Sequence, residues 1–531
     1  MMSMRKIILF VVLAVSVVSC SGWLNVEPVS NIPADGFYKT PTEAEQALIG
    51  VYNGLLPIPE YTWNMCELRS DDVWNEAAEE ANAARDYFEI FTYSPTLSIV
   101  SMLNDAWLDY YKIISRANLF LQKVETETVF DDDLDVDLKA SFKAEARLLR
   151  AYAYFDLVRY FGRVPVVLEP QTVDQAMSTR QSEAVDVYEK VIIPDLQYAV
   201  DSLDYTAYDC DGEPVESGRV NKVVAQALLG RVYATMSGYP LYDLSKKDLA
   251  VELLKSVVDY AEKENKYWAS TGTQWQEMWL SENDNEYHIW EIQYAAKEDY
   301  GNPMIYWMVP QVSSNFIDLK MSGYHLPGTD QLLALYETDV TGDGISDDIR
   351  KEATFNFDPE EPTHFYNKFF EHKKKLKALG KADNTAQVVN RFYFPINFPL
   401  IRLEDAMLMY AELVGDTPTA IGYVNKIRTR AGIGTLTAKE LENFEEAVRV
   451  ERRRELAGEG IRWHDIVRWN KHVELVSAKF RSYGTNSTGD IINPKIYDYA
   501  RRVTKGTYLY PIPDVQIKVK EGLYTQNEAY R

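Results

Sequence analysis

The stretch ERRRELAGEGIRWHDIVRWNK, residues Glu451–Lys471, indicates how this chain folds, because its charges follow a helical period. Three glutamates recur at intervals of four residues: Glu451, Glu455 and Glu459. Residues four apart lie on the same side of a helix, where opposite charges pair. Gly458 and Gly460 end that helix, and Trp463 and Ile466 give the next helix an apolar face. The stretch therefore predicts a corner between two helices that is held by ion pairs and indole rings.

The same residue types also occur in active sites. Glu455, His464 and Asp465 are of the kind that supply a general acid and a general base, and Arg462 and Arg468 are of the kind that hold an anion. The four-residue period favours the structural interpretation, since ion-pair networks also bring such residues together without catalysis. We therefore expect these side chains to stabilise the fold.

The composition is that of a large, acidic globular protein. The chain has 531 residues, of which 46% are hydrophobic, and its formal net charge is −24. This length suffices for a large core, and the excess of acidic residues disfavours binding to nucleic acid. Aromatic residues make up 13% of the chain, a surplus that suits a surface on which flat ligands stack. The cysteines, Cys20, Cys66 and Cys210, have no metal-ligand spacing, and whether Cys66 and Cys210 pair stays open.

The N-terminus has the form of a lipoprotein signal peptide, residues 1–19. Arg5 and Lys6 precede an apolar run, Ile7–Val18, which is too short to span a bilayer comfortably. Small residues then lead to Cys20, at the position where a bacterial lipobox is cleaved and its cysteine is acylated. This pattern predicts that Cys20 is the lipidated first residue of the mature protein. An ordinary signal peptide that contains a cysteine is the alternative.

Helical periodicity dominates the chain and predicts a mainly α fold. The predicted helices come in adjacent pairs, mainly within residues 101–265 and 400–478, with small residues where paired helices cross. This layout is typical of tetratricopeptide-like helical pairs. Residues 266–399 are predicted to be a loop-rich insert, with one strand-like run at Glu286–Tyr294 and loop composition over Lys297–Gly328. We expect a helical scaffold with minor β structure and an irregular, ligand-facing insert, because binding residues commonly lie on loops.

Several segments, taken in order, match one known family. The residues after Cys20 include LNVEP, the segment Ala144–Val167 reads AEARLLRAYAYFDLVRYFGRVPVV, and Tyr508–Tyr530 reads YLYPIPDVQIKVKEGLYTQNEAY. Together with Glu451–Lys471, these segments resemble the SusD/RagB family of outer-membrane nutrient-binding lipoproteins. The resemblance covers nearly the whole chain, and it predicts one SusD-like domain over residues 20–531.

The resemblance implies a function. Members of this family are non-enzymatic, and each is anchored by lipid in the outer membrane as a lid over a SusC-like TonB-dependent transporter. The pair captures oligosaccharides, or peptides in some members, and passes them into the barrel. It follows that His464 is not a catalytic base. Many members carry an acidic patch after the lipid cysteine that favours export to the cell surface, whereas this chain has only Glu27 there.

Two stretches combine flat rings with polar side chains, as a sugar site requires. A sugar presents an apolar face to aromatic rings and a rim of hydroxyls to amides and charged groups. The stretches are Tyr61–Tyr93 and KEDYGNPMIYWMVP, Lys297–Pro310. Core packing is the alternative for each ring. We predict that a tryptophan stacks on a sugar and that Asn302 bonds its hydroxyls; the candidate ligand-binding residues are Trp74, Tyr300, Asn302, Tyr306 and Trp307.

The segment DVTGDGISDD, Asp339–Asp348, resembles the first nine positions of a calcium loop. Oxygen-bearing groups fall at alternate positions, and Gly344 stands where such loops turn sharply. Arg350 occupies the position of the bidentate glutamate, so a solvated acidic turn is the alternative. The predicted ligands of a structural calcium ion are Asp339, Thr341, Asp343, the Ile345 carbonyl and Asp347.

Other classes of function stay open at this stage. A secreted glycoside hydrolase needs two placed carboxylates, and acidic residues are plentiful; however, the chain has no HExxH or GxSxG motif, and its six histidines form no ligand cluster. A peptide-binding member of the same family and a scaffold that binds only a protein partner are further alternatives. Lipidation combined with clustered aromatic residues in loops favours a glycan-binding lipoprotein.

Overall fold

The computed structural model describes residues 37–531 except 76–84, 127–135, 216–217, 281–285, 298–299, 322–325, 362, 389, 391 and 393. The predicted signal peptide and Cys20 lie outside the described residues. Within them, helices dominate and the strands are short, which confirms the predicted mainly α fold with minor β structure. Over this part of the chain, no helix is both long enough and apolar enough to cross a membrane.

The helices before residue 270 include the longest ones of the described chain, Ser101–Thr126 and Val136–Phe161. They are α1 (Pro41–Tyr52), α2 (Ile58–Thr62), α3 (Arg85–Phe91), α4 (Ser101–Thr126), α5 (Val136–Phe161), α6 (Val173–Ala176), α7 (Ala184–Val187), α8 (Ile193–Ser202), α9 (Lys222–Ser237) and α10 (Lys247–Glu264).

The later helices are short in the predicted insert and longer after it. They are α11 (Gly272–Glu277), α12 (Met304–Met308), α13 (Asp330–Ala334), α14 (Arg350–Thr354), α15 (Lys373–Ala378), α16 (Leu403–Val414), α17 (Pro418–Arg430), α18 (Ala438–Leu441), α19 (Phe444–Glu455), α20 (Arg462–Arg468), α21 (His472–Gly484), α22 (Pro494–Tyr499) and α23 (Asp514–Lys518).

Four antiparallel pairs of strands accompany the helices. The pairs are β1 (Val164–Pro165) with β2 (Gln181–Ser182), β3 (Ala207–Tyr208) with β4 (Pro214–Val215), β5 (His288–Ile292) with β8 (Phe398–Arg402), and β6 (Phe355–Asp358) with β7 (Thr363–Tyr366). In the third pair, His288 lies opposite Arg402 and Ile292 lies opposite Phe398. This pairing brings the two ends of the insert together and places Arg402 at the start of α16.

The longer helices pack against their neighbours in a continuous row. Contacts run from α4 to α5, then to α8, α9, α10, α16 and α17. Small residues allow these helices to approach closely, since Ala151 and Ala153 of α5 are fully buried. A methyl group at Gly230 of α9 would lie 3.0 Å from Leu254 of α10. The predicted helical pairs are therefore present, and their apolar faces form one contiguous core.

Local sequence signals set several helix ends. Thr40 caps α1 in a reciprocal pair with Glu43, and the side chain of Asn221 accepts hydrogen bonds from the first turn of α9. Gly162 follows α5 with φ of 71°, a backbone angle that side chains with a Cβ rarely adopt. These are short-range effects, set by residues next to each helix end.

Candidate functional site

The stretch Glu451–Lys471 forms the predicted corner, and its first charge cluster is fully buried around Glu455 at the end of α19. The Glu455 carboxylate accepts hydrogen bonds from Trp275 Nε1 at 2.8 Å, Arg430 Nη2 at 2.7 Å, Arg350 Nη1 at 2.9 Å and Arg402 Nη1 at 3.1 Å. Burial alone would raise the pKa of Glu455, but these guanidinium groups hold it well below its usual value. The glutamate therefore joins four other segments of the chain as a carboxylate anion.

A second cluster ties α19 and α20 to the helical row. Arg452 Nη2 lies 2.8 Å from Asp405 of α16, and its Nε lies 3.1 Å from Asp465 of α20. Asp405 also pairs with Arg231 of α9 at 2.6 Å. Burial would raise the pKa of Asp405, but Arg231 and Arg452 lower it instead. Charges of this motif thus cross-link helices, as the four-residue period predicted.

His464 of the same motif is half-buried and packs against Cys66. Its Nε2 lies 3.2 Å from Cys66 Sγ, and that sulfur lies 3.1 Å from the hydroxyl of Tyr160. Burial lowers the pKa of His464 well below its usual value, and Arg159 and Arg231 lower it further. Burial also raises the pKa of the Cys66 thiol. A neutral imidazole and a protonated thiol suit packing.

Trp74, a predicted ligand contact, is 7% exposed. Its ring stacks on Tyr483 of α21 with centroids 3.8 Å apart and planes at 9°, and it meets Phe91 edge-on at 5.2 Å. Its backbone N–H donates to Pro327 O at 2.8 Å. Because a partner ring already covers its face, this packing removes Trp74 from the ligand surface that we propose.

Asn302 is fully buried. Its Nδ2 donates to Ile396 O at 2.9 Å, and its Oδ1 accepts from Met304 N at 3.1 Å. The amide thus fastens the start of α12 to the segment before β8, and it does not face a ligand. Tyr306, on α12, is 9% exposed, with its ring centroid 4.5 Å from that of Phe392.

Tyr300 is the member of the predicted set whose described side chain is open to solvent, with 46% of its area exposed. A tight turn presents it: Ala295 N donates to Tyr300 O at 2.8 Å, and Tyr300 N donates to Lys297 O at 3.1 Å. The Lys297 ammonium lies 5.4 Å from the ring centroid. Trp307 belongs to α12, but its side chain lies outside the described residues. The structure therefore brings Tyr300, Tyr306 and Trp307 into one segment around α12 and leaves Trp74 elsewhere.

Comparison with known families covers both halves of the chain. The model described as "SusD family" matches residues 231–530, and the model described as "Starch-binding associating with outer membrane" matches residues 22–234. The chain belongs to the SusD family.

Individual SusD-family relatives are distant in sequence but similar over their full length. A SusD-like protein of Bacteroides ovatus is 25% identical, over 91% of this chain and 86% of the relative. The crystal structure of a SusD homolog from Bacteroides thetaiotaomicron is 23% identical over 92% of this chain and 97% of that one, with a TM-score of 0.72. A laminarin-binding SusD-like protein is 24% identical over 93% and 100%, with a TM-score of 0.68. The structural likenesses support the SusD fold.

The predicted calcium loop of this SusD-family chain folds as a turn whose carboxylates bind its own backbone. Asp339 accepts hydrogen bonds from Gly342 N at 2.6 Å and Gly344 N at 2.8 Å, and these bonds lower its pKa. Asp347 accepts from two further backbone N–H groups, and Asp343 accepts from Ile345 N. Within the described ranges, no three His, Cys, Asp or Glu residues are grouped so as to hold a metal ion. Calcium at this loop stays a prediction.

We predict that millimolar calcium raises the melting temperature of the protein and that a chelator lowers it, because an ion that binds only the native state stabilises it by mass action. The change should vanish in Asp343→Asn and persist in Asp416→Asn, which alters an exposed aspartate outside the loop. A melting temperature that calcium and chelator both leave unchanged would show that the loop is a solvated acidic turn.

Proposed function

We propose that this SusD-family protein captures an oligosaccharide at the outer membrane and delivers it to a SusC-like TonB-dependent transporter. One observation carries the proposal: two family models cover residues 22–530 almost without interruption, and one of them is described as starch-binding and associated with the outer membrane. A structural relative is named for binding laminarin, a glucan. We propose that the protein works by binding and not by catalysis.

The proposed ligand surface is the segment around α12, with Tyr300 and Trp307 as its stacking rings and Tyr306 on the same helix as Trp307. An exposed tyrosine on a tight turn offers a flat apolar face at little conformational cost. Lys297 beside the ring supplies a donor for hydroxyl groups. This arrangement provides both kinds of contact that a sugar residue requires.

We expect Tyr300→Ala or Trp307→Ala to weaken binding of the glycan by about tenfold to a hundredfold, since losing an aromatic anchor costs about 1–3 kcal/mol. A glycan array identifies the ligand, and calorimetry measures its affinity for each variant. The control is Tyr242→Ala, which removes a tyrosine that is 54% exposed outside this segment. If both variants remain folded and bind like the wild type, the ligand surface lies elsewhere. If no glycan binds and none is turned over, the proposed function itself is wrong.

The lipid anchor is a separate part of the proposal. We expect Cys20→Ala to release the protein from the membrane fraction, because acylation at Cys20 is the one membrane attachment that the sequence predicts. Cys210→Ala, which removes a partly exposed cysteine from the folded domain, is the matched control and should leave the protein membrane-bound. A Cys20→Ala protein that still sediments with outer membranes at high salt would contradict lipidation. Surface exposure is tested separately, by proteolysis of intact cells.

A further inference from the structure

The corner Glu451–Lys471 has an outer side that the buried charge clusters leave open. A groove of about 220 Å³ lies there between α19 and α21, which we call the Trp469 groove. Its polar lining consists of four cationic side chains, an indole ring and two glutamates: Arg449, Arg453, Arg462, Lys471, Trp469, Glu446 and Glu474. In a chain with a net charge of −24, such a grouping of cations is unusual.

Two of the cations are fixed by buried partners. Arg462 forms a two-point pair with Asp71, at 2.8 and 2.9 Å. Arg453 Nε lies 2.5 Å from Asp72, and its Nη2 lies 3.1 Å from Asp71. Within each pair the positive and negative charges cancel. These residues therefore shape the wall of the groove and add little to its electrostatic field.

The other two cations are held only by exposed partners. Arg449 pairs with Glu445 one helical turn away, whose side chain is 63% exposed. Lys471 pairs with Glu474, and their side chains are 42% and 64% exposed. Exposed pairs of this kind contribute little to stability, so an arriving anion can replace the glutamates at small cost.

Arg449 also has one donor without a partner. Its Nε is buried and has no hydrogen-bond partner among the described residues, which is a costly state for a charged donor. Its guanidinium carbon lies 4.9 Å from the Trp469 ring centroid. Trp469 is itself held in place, because its Nε1 donates to Glu412 Oε1 at 2.7 Å. The arginine is therefore positioned against a rigid wall formed by the Trp469 ring.

Carboxylates and sulfates are the groups that this chemistry favours. A guanidinium presents its donors as a planar fork that matches two acceptor oxygens, and the lysine adds a point charge. The negative charge of the rest of the chain is screened beyond a Debye length of about 8 Å at physiological salt. Contacts inside the groove therefore decide whether an anion binds there. The volume lies below the ~300–1,000 Å³ that is usual for small-molecule sites and suits a single sugar unit.

We propose that the Trp469 groove binds the carboxylate or sulfate group of an acidic oligosaccharide, with Arg449 and Lys471 as the contacts. This inference rests on the proposed function and names a substrate class for it. The site is distinct from the stacking surface around α12, and it uses charge where that surface uses aromatic faces.

Calorimetry with three probes tests the proposal: a galacturonate hexamer, a sulfated galactose hexamer and neutral laminarihexaose. The test variant is Arg449→Met with Lys471→Met. The matched control is Arg501→Met with Lys255→Met, which removes two cations from exposed helical ion pairs elsewhere. Thermal melts check that both variants are folded. We expect them to be, because the substituted side chains are partly exposed.

We expect the wild type to bind at least one acidic probe, tenfold or more tightly than the test variant does, and the control to match the wild type. That affinity should fall as salt rises from 50 to 200 mM. The acidic probe that binds identifies the group as a carboxylate or a sulfate. Two results would contradict acidic-glycan binding in the groove: equal binding of an acidic probe by the wild type and the test variant, or binding of the neutral probe alone. Either result leaves the proposed function standing. Binding of no probe, together with a negative glycan array, removes both.

Discussion

Glu455→Gln is expected to lower the free energy of unfolding by about 3–5 kcal/mol, the usual cost of removing one partner from a buried ion pair. The substitution keeps the size of the side chain but deletes the charge that Arg350, Arg402 and Arg430 share. Each of these guanidinium groups would then lose one buried carboxylate partner, leaving Asp348 and Glu451 with Arg350, and Glu404 with Arg402 and Arg430. Denaturation by urea, followed by circular dichroism, measures the loss.

The matched control for this prediction is Glu445→Gln, ten residues earlier on α19. Its carboxylate pairs with Arg449 at the surface and is 63% exposed, so its loss should change stability by less than about 0.5 kcal/mol. Both variants replace a glutamate of α19 by glutamine, and they differ in whether that glutamate is buried. Equal losses in the two proteins would show that the buried network does not stabilise the fold.

The same network predicts the direction of the response to acid. The folded-state pKa of Glu455 lies below its usual value, so its charged form stabilises the protein at every pH above the unfolded pKa of about 4.3. That contribution is lost as pH falls from there towards the folded pKa. Glu455→Gln should therefore lose less stability than the wild type when pH is lowered below about 4.

Gly460→Ala is the second change expected to have a large effect, a loss of about 2–5 kcal/mol. Gly460 has φ of 71°, where a residue with a Cβ is strained by about 1–2 kcal/mol. An added Cβ would lie 2.2 Å from Thr62 Cγ2 and 3.3 Å from Thr62 O. Relieving that overlap requires the core to shift, which typically costs about 1–3 kcal/mol.

Gly380→Ala separates the cost of backbone strain from the cost of the steric overlap. Gly380 has φ of 69°, almost the same angle, and an added Cβ there meets nothing within 4 Å. It should cost about 1–2 kcal/mol, from backbone strain alone. The difference between the two variants then measures the clash with Thr62. If the losses are the same, close packing at the corner plays no part.

Patterns that repeat over a few residues could be predicted from the sequence. Helices, their caps and their pairing follow from apolar periodicity, Thr40 and Asn221 at helix starts, and small residues at crossings. The charged corner at Glu451–Lys471 is equally local, since an interval of four residues places carboxylates in one row. The fold class and the structural role of this motif were therefore within reach of the sequence.

The sequence could not distinguish a ligand-facing ring from a core ring. Trp74 and Tyr300 both lie in stretches rich in aromatic and polar residues, yet Trp74 is stacked on Tyr483 from the far end of the chain, while Tyr300 is exposed. The side-chain amide of Asn302 is likewise buried, where it donates a hydrogen bond to Ile396 O from a distant segment. Whether a side chain is buried depends on which distant segment packs over it, and local composition does not specify that segment.

The sequence by itself determined where the long paired helices lie, that Glu451, Glu455 and Glu459 share one side of a helix, and which family the chain resembles. Only the tertiary structure decided what those glutamates meet. Arg350, Arg402 and Arg430 come from α14, β8 and α17; a long and irregular connection separates α14 from β8, and helix α16 separates β8 from α17. The pairing of β5 with β8 and the packing of α16 against α17 bring them to one carboxylate. Periodicity is a property of neighbours along the chain, whereas a charge in the core must be balanced by whichever opposite charges are near it in space.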